Sequence, residues 1–147
     1  MAYCPRAGSY FGAPAHFGPH RYNDMQVANI CVALGTDSVI NLPPAASNPT
    51  TGRLSTLDEA RLLFQRDEAD PRHLLAMCTI HGARALGMRI GPFTFPTSGE
   101  WGTAGGQELA GVVSVPAPGG GNPFVRLMAC DTPPDLLVLG RAPFEAA

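Results

Sequence analysis

The sequence predicts an α/β fold in which residues 1–88 carry helices around a buried parallel strand and residues 89–147 carry a smaller β layer. Three observations support this. "ICVALG" (Ile30–Gly35) is apolar over five consecutive residues, as suits a strand covered on both faces. Helix-start signals and apolar residues at helical spacing follow it from Ser55 to Gly87. Beyond residue 91 the texture changes to short β-branched runs divided by Gly and Pro clusters.

In chain order, "MAYCPRAGSYFGAPAHFGPH" lacks periodicity and reads as a short strand followed by a long loop. Pro19 fits a first helical turn, and Tyr22, Met25 and Ala28 then follow at helical spacing, predicting a helix from about His20 to Asn29. The buried strand comes next, closing in Gly-Thr-Asp-Ser, and after it a Pro-rich loop too long for a simple turn.

"STLDEARLLFQRD" is the clearest helix. Ser55 with Asp58 three residues on resembles a capping box, and Leu57, Ala60, Leu63 and Phe64 make one apolar face. Asp70 and Pro71 supply the cap and first residue of another helix, with Leu74, Leu75, Met77 and Cys78 turned inward. "TIHGARALG" predicts a short helix whose end at Gly87 suits a left-handed residue, with His81 in a surface or C-terminal dipole role. "AGVVSV", "FVRLMAC" and "DLLVLG" read as strands, and Gly119–Gly121 as a loop.

Composition narrows the function. The chain has 147 residues, enough for one modest domain, and a net charge of −2 that offers no footprint for nucleic acid. No apolar run approaches the roughly 20 residues of a membrane span. All ten cationic residues are Arg, so no Lys is present to form a Schiff base. Cys4, Cys31, Cys78 and Cys130 form no CxxC pair and read as buried free thiols of a cytoplasmic protein.

Asp37 leads the candidate site residues. A carboxylate immediately after a buried parallel strand stands at the C-terminal mouth of the sheet, where α/β barrels gather catalytic groups; an Asp there also fits a plain N-cap. His16 and His20 are four apart, but Pro19 between them works against a shared helix face, so they read as loop residues near the sheet mouth, in reach of a substrate or merely solvated. Cys4, next to Arg6, raises a thiol-nucleophile reading, with no general base identifiable for it.

Four segments then act together: "AYCPRAGSYFG", "HRYNDMQVANICVALGTDS", "RLSTLDEARLLFQ" and "LLAMCTIHGARALGM". In this order and spacing the region from residue 2 to 91 resembles the C-terminal part of metal-dependent amidohydrolases of the deaminase type, among them cytosine-deaminase-like, chlorohydrolase-like and aminodeoxyfutalosine-deaminase-like members. The resemblance implies the last two strands and helices of a (β/α)8 barrel over residues 1–88 and part of a composite β-sandwich over 89–147. It implies Asp37 as an acidic metal ligand and proton shuttle, and a pocket shaped by residues after the seventh strand; from position, Arg6, Ser9, His16, His20 and Ser38 are its candidate lining. Gly82, Ala83 and Gly87 would be structural.

The implied chemistry is hydrolysis of a C–N bond, the loss of an exocyclic amine from a purine- or pyrimidine-like ring, with zinc or iron activating the water. The implied partner is a small nucleobase-like amine, with no nucleic acid and no membrane; a homo-oligomer is compatible with this. The sequence departs from the pattern in having no His-x-His pair, and in having Gly111 where Asp is common. Since a whole barrel needs about 200 residues or more, the expectation is a chain resembling roughly the last third of such an enzyme, Met1 standing at an internal position. It is expected to bind no zinc stoichiometrically and to be inactive alone. The alternative is a non-catalytic binding or assembly domain derived from the same family.

Overall fold

The computed structural model describes residues 1–42, 54–88, 111–116 and 119–139. Its elements in order are β1 (Ala2–Tyr3), α1 (Pro5–Tyr10), α2 (Ala13–Phe17), α3 (Tyr22–Val27), β2 (Ala33–Leu34), a 3-10 turn over Val39–Asn41, α4 (Thr56–Asp67), α5 (Pro71–Cys78), α6 (Ile80–Ala85), β3 (Gly111–Ser114), α7 (Pro123–Ala129) and β4 (Asp135–Leu139).

β1 and β2 are parallel, with Ala2 opposite Ala33 and Tyr3 opposite Leu34. Both chain ends leaving these strands therefore emerge on one side. The predicted strand is real but short: β1 offers two residues to pair with, so Ile30 and Cys31 stay outside the ladder and are exposed. Alternation along the strands sends Tyr3, Val32 and Leu34 into a core with Tyr22, Ala60, Leu63, Leu74, Met77 and Met128. Burying one such Leu or Met side chain contributes roughly 1.5–3 kcal/mol, so this seam between strands and helices is what keeps the two-stranded pair in place.

The helical signals read locally are reproduced. Ser55 Oγ accepts from the Asp58 N–H at 3.4 Å, and Asp70 Oδ1 accepts from the Arg72 N–H at 2.9 Å with Pro71 in the first turn. α3 is shorter than expected and begins after Pro19; Asn29, at φ +58°, follows its end. Gly87 takes φ +74° beyond α6, as its position required. His81 is not merely a surface residue, because its Nδ1 lies 2.9 Å from the Val32 carbonyl oxygen.

Three expectations are corrected. The segment read as a long loop holds α1 and α2, each with a proline in its first turn. "FVRLMAC" is not a strand: Asn122 caps it, its Oδ1 accepting from the Phe124 N–H at 2.9 Å, and Pro123 opens α7, whose Met128 enters the core. "NP" here is a helix start and not the end of a turn. β3 and β4 pair antiparallel with an irregularity between Val112 and Val113, and Gly119 and Gly121, both at positive φ, form the expected loop. The thiols are free, but they are not buried as expected: Cys31 is exposed, and Cys4, Cys78 and Cys130 are half-buried. The Pro-rich loop from residue 43 and most of the segment after residue 88 lie outside the described residues.

Candidate active site

The parallel pairing sets Cys4, at the end of β1, beside Gly35, at the end of β2, where the Gly35 N–H donates to the Tyr3 carbonyl at 2.9 Å. A Cβ on Gly35 would stand 3.0 Å from Cys4 Sγ, so the Cys4 side chain would have to yield by a few tenths of an ångström to admit one. Two residues later Asp37 adopts φ +59°, in the left-handed region, and is exposed. Its Oδ2 accepts a hydrogen bond from Asn41 Nδ2 at 3.0 Å. The cap of the 3-10 turn is Ser38, whose Oγ accepts from the Ile40 N–H at 3.4 Å. Asp37 is thereby left for another use.

Beneath the strand ends lies a buried ion pair. Arg6 Nε stands 2.7 Å from Glu59 Oε1, Glu59 Oε2 accepts from the Arg6 backbone N–H at 3.0 Å, and Arg6 Nη2 reaches the Ser55 carbonyl at 3.5 Å. Glu59 is fully buried. Burial pushes its carboxyl up from the usual range, against the downward pull of the Arg6 N–H and guanidinium. The arrangement also decides the role of Cys4. Burial first, and then the negative charges of Asp37 and Glu59, hold its thiol above the usual range, opposed only by the Asp37 backbone hydrogen bond. An activated thiol needs the reverse, and the guanidinium that suggested activation is committed to Glu59.

The remaining candidates are dispersed. Ser9 Oγ donates to the Pro5 carbonyl at 3.2 Å within α1. His16 is exposed on α2, its ring edge-on to Phe17. His20 stacks flat on Tyr3, with ring centroids 3.8 Å apart and planes 10° off parallel. That ring belongs to the layer facing the helices, where burial and then Arg66 lower the imidazole's pKa. Among the described residues, none of Ser9, His16 and His20 shares a hydrogen bond or ion pair with Asp37, whereas Cys4 and Ser38 stand beside it.

Two residues of this region were not singled out in the sequence, Glu59 and Asn41. Glu59 precedes Leu63 by four residues and so occupies the apolar face of α4, a signal that could have found it. For Asn41 the sequence carries no comparable sign, since its burial depends on the 3-10 turn lying against α1.

Among the described residues, no three His, Cys, Asp or Glu side chains stand together as metal ligands would. Asp37 is a single carboxylate and does not by itself make a metal centre. No curated protein and no solved structure matches the chain. The model of the Amidohydrolase family matches residues 21–94, just over half of the 147 residues and including Asp37 and Ser38. The chain therefore belongs to the amidohydrolase family, whose domain is TIM-barrel-like and whose members generally use a divalent metal.

Proposed function

We propose that the chain carries the Asp37-bearing strand end of an amidohydrolase that removes an exocyclic amine from a purine- or pyrimidine-like ring. The observation that supports this best is the Asp37 carboxylate, three residues past the C-terminal end of parallel strand β2, inside the family match and held by Asn41. In this reading water adds to the ring carbon, Asp37 takes the proton the water loses, and Asp37 returns it to the amine as the C–N bond breaks and ammonia leaves. In this reading Arg6, Ser9, His16, His20 and Ser38 line the pocket by position. Residues 1–88 would form the barrel portion and 89–147 the sandwich portion, in a cytoplasmic protein acting on a small molecule.

The described residues do not make up a metal centre, so further ligands, zinc or iron being the expected ion, would come from elsewhere. Because its sequence has no His-x-His pair, we expect the 147-residue chain alone to bind no stoichiometric metal and to release no ammonia. Metal analysis finding about one tightly held ion per chain overturns that expectation. The decisive experiment starts from the coding sequence upstream of Met1. If it continues in frame through a His-x-His pair and a later His, the joined product should release ammonia from aminopurines or aminopyrimidines, and Asp37→Asn should slow it by about 10²–10⁴-fold. Unchanged turnover in that variant would remove Asp37 from the chemistry.

A second reading, a non-catalytic binding or assembly domain, draws on three aromatic residues of α1, α2 and their junction, Tyr10, Phe11 and Phe17, which are 54%, 64% and 87% exposed. A stop codon and ribosome-binding site directly before Met1 would favour it.

A further inference from the structure

We propose that Asn41 is the positioning residue for Asp37, fixing the orientation of the carboxylate that takes the reacting proton; this rests on the reading of Asp37 above. Asp37 is exposed, three residues beyond β2, with a left-handed backbone that a side chain seldom adopts. An unrestrained carboxylate in such a place would rotate among its rotamers. Asn41 meets it from four residues on, donating Nδ2 to Oδ2 at 3.0 Å.

The Asn41 backbone is itself anchored, its N–H donating to the Ser38 carbonyl at 3.1 Å. Ser38 in turn caps the 3-10 turn, so the donor is carried on a short closed turn that begins beside Asp37. Polar Asn41 is 6% exposed, yet its Oδ1 has no hydrogen-bond partner. A buried acceptor left unpaired is unfavourable, and an apolar side chain of similar shape would fill the same volume without it. The amide is therefore poorly explained by packing and well explained by the one bond it makes. Its orientation follows from the same bond: turned over, its oxygen would face the carboxylate. The bond takes one lone pair of Oδ2 and, by fixing the plane of the group, also sets the direction of Oδ1; the remaining lone pairs would serve the proton and an ion.

The experiment is solution NMR on the isotope-labelled 147-residue chain. One Asn41 carboxamide proton should exchange at least about tenfold more slowly than those of exposed Asn29, and its resonance should move in Asp37→Ala. Three-bond couplings should show one χ1 rotamer for Asp37 in the parent and averaging in Asn41→Leu. That variant keeps the buried volume, and unchanged core methyl shifts would establish that it is folded; Asn41→Ser serves in its place if it is not. A single Asp37 rotamer in the folded variant, or an Asn41 amide indifferent to Asp37→Ala, overturns the proposal. Neither reading depends on turnover, so failure here leaves the role of Asp37 standing, while failure of that role is read from the activity of Asp37→Asn.

Discussion

Arg6 and Glu59, 53 residues apart, form an ion pair at 2.7 Å in which the carboxylate is wholly buried and also accepts the Arg6 backbone N–H. One acid thus satisfies an otherwise unpaired amide in the first turn of α1 and clamps that helix to the first turn of α4. Deleting one partner of a buried pair leaves an uncompensated charge, typically a loss of about 3–5 kcal/mol. Arg6→Ala should therefore destabilise the chain more than Glu59→Gln does, as read from urea midpoints, and the double variant should recover part of the loss. Equal and additive effects would show that the pair is not coupled.

The same carboxyl sets a pH dependence. Its folded-state pKa is raised from an ordinary value of 4.5, chiefly by burial, so the folded chain holds this proton more tightly than the unfolded chain does. The contribution is complete below that ordinary value and is lost as pH rises through the folded one. Glu59→Gln should flatten the decline in stability on that side of the profile. A slope unchanged by the substitution would contradict this.

Arg61 ties the C-terminal helix to the others. Its Nε donates to the Leu127 carbonyl at 3.1 Å, Nη2 to the Thr132 carbonyl at 2.9 Å and to Cys130 Sγ at 3.1 Å, while Nη1 meets Asp58 Oδ1 at 3.0 Å. A lysine offers one compact charge and cannot reproduce this fork. Arg61→Lys should thus behave almost as badly as Arg61→Ala, and both should speed amide exchange across residues 123–132 before the rest of the core. Exchange that rises uniformly through the chain would argue against a local tie.

These ties explain which parts of the fold could be read in advance. Ser55, Asp70–Pro71 and Gly87 announce helix boundaries through contacts within a few residues, and all three behave as their local chemistry demands. α1 could not be read this way, because its first-turn amide is met by Glu59 from a distant helix, and its own segment is rich in Gly and Pro. α7 has a proper Asn122–Pro123 start, but Phe124, Val125 and Leu127 favour strands about as well as helices until Arg61 and the core select one. At the site, an acid following an apolar run made Asp37 visible. Asn41 and Glu59 stayed hidden because nothing local says what an amide or a carboxylate will meet.

Three of the cysteines should separate by reactivity. Cys31 is exposed, whereas burial pushes the Cys78 thiol up to about 12, and Cys4 is raised by burial and two acidic neighbours. Titration with a disulfide reagent near neutral pH should give a fast phase that Cys31→Ser abolishes, and Cys78 should react only on unfolding. A fast phase belonging to Cys4 would restore the thiol-nucleophile reading.

Asp67 supplies an effect of opposite sign to that of Glu59. Two Arg66 nitrogens donate to its carboxylate at 2.6 and 2.7 Å, and the Tyr22 hydroxyl donates to Oδ2 at 2.9 Å. These bonds, that from Arg66 foremost, hold its carboxyl below the ordinary 3.8 despite partial burial. The stability they bring is present above that ordinary value and is lost as pH falls through the lower folded one. Tyr22→Phe removes one donor and leaves the core ring in place, so it should cost about 1 kcal/mol near neutrality. It should cost less as the solution is acidified, because protonation of Asp67 weakens the interaction in the parent as well. Urea unfolding of parent and variant at neutral pH and near pH 3 measures the difference directly, and a penalty that grows toward low pH would show that Tyr22 does not act through the ionised carboxylate.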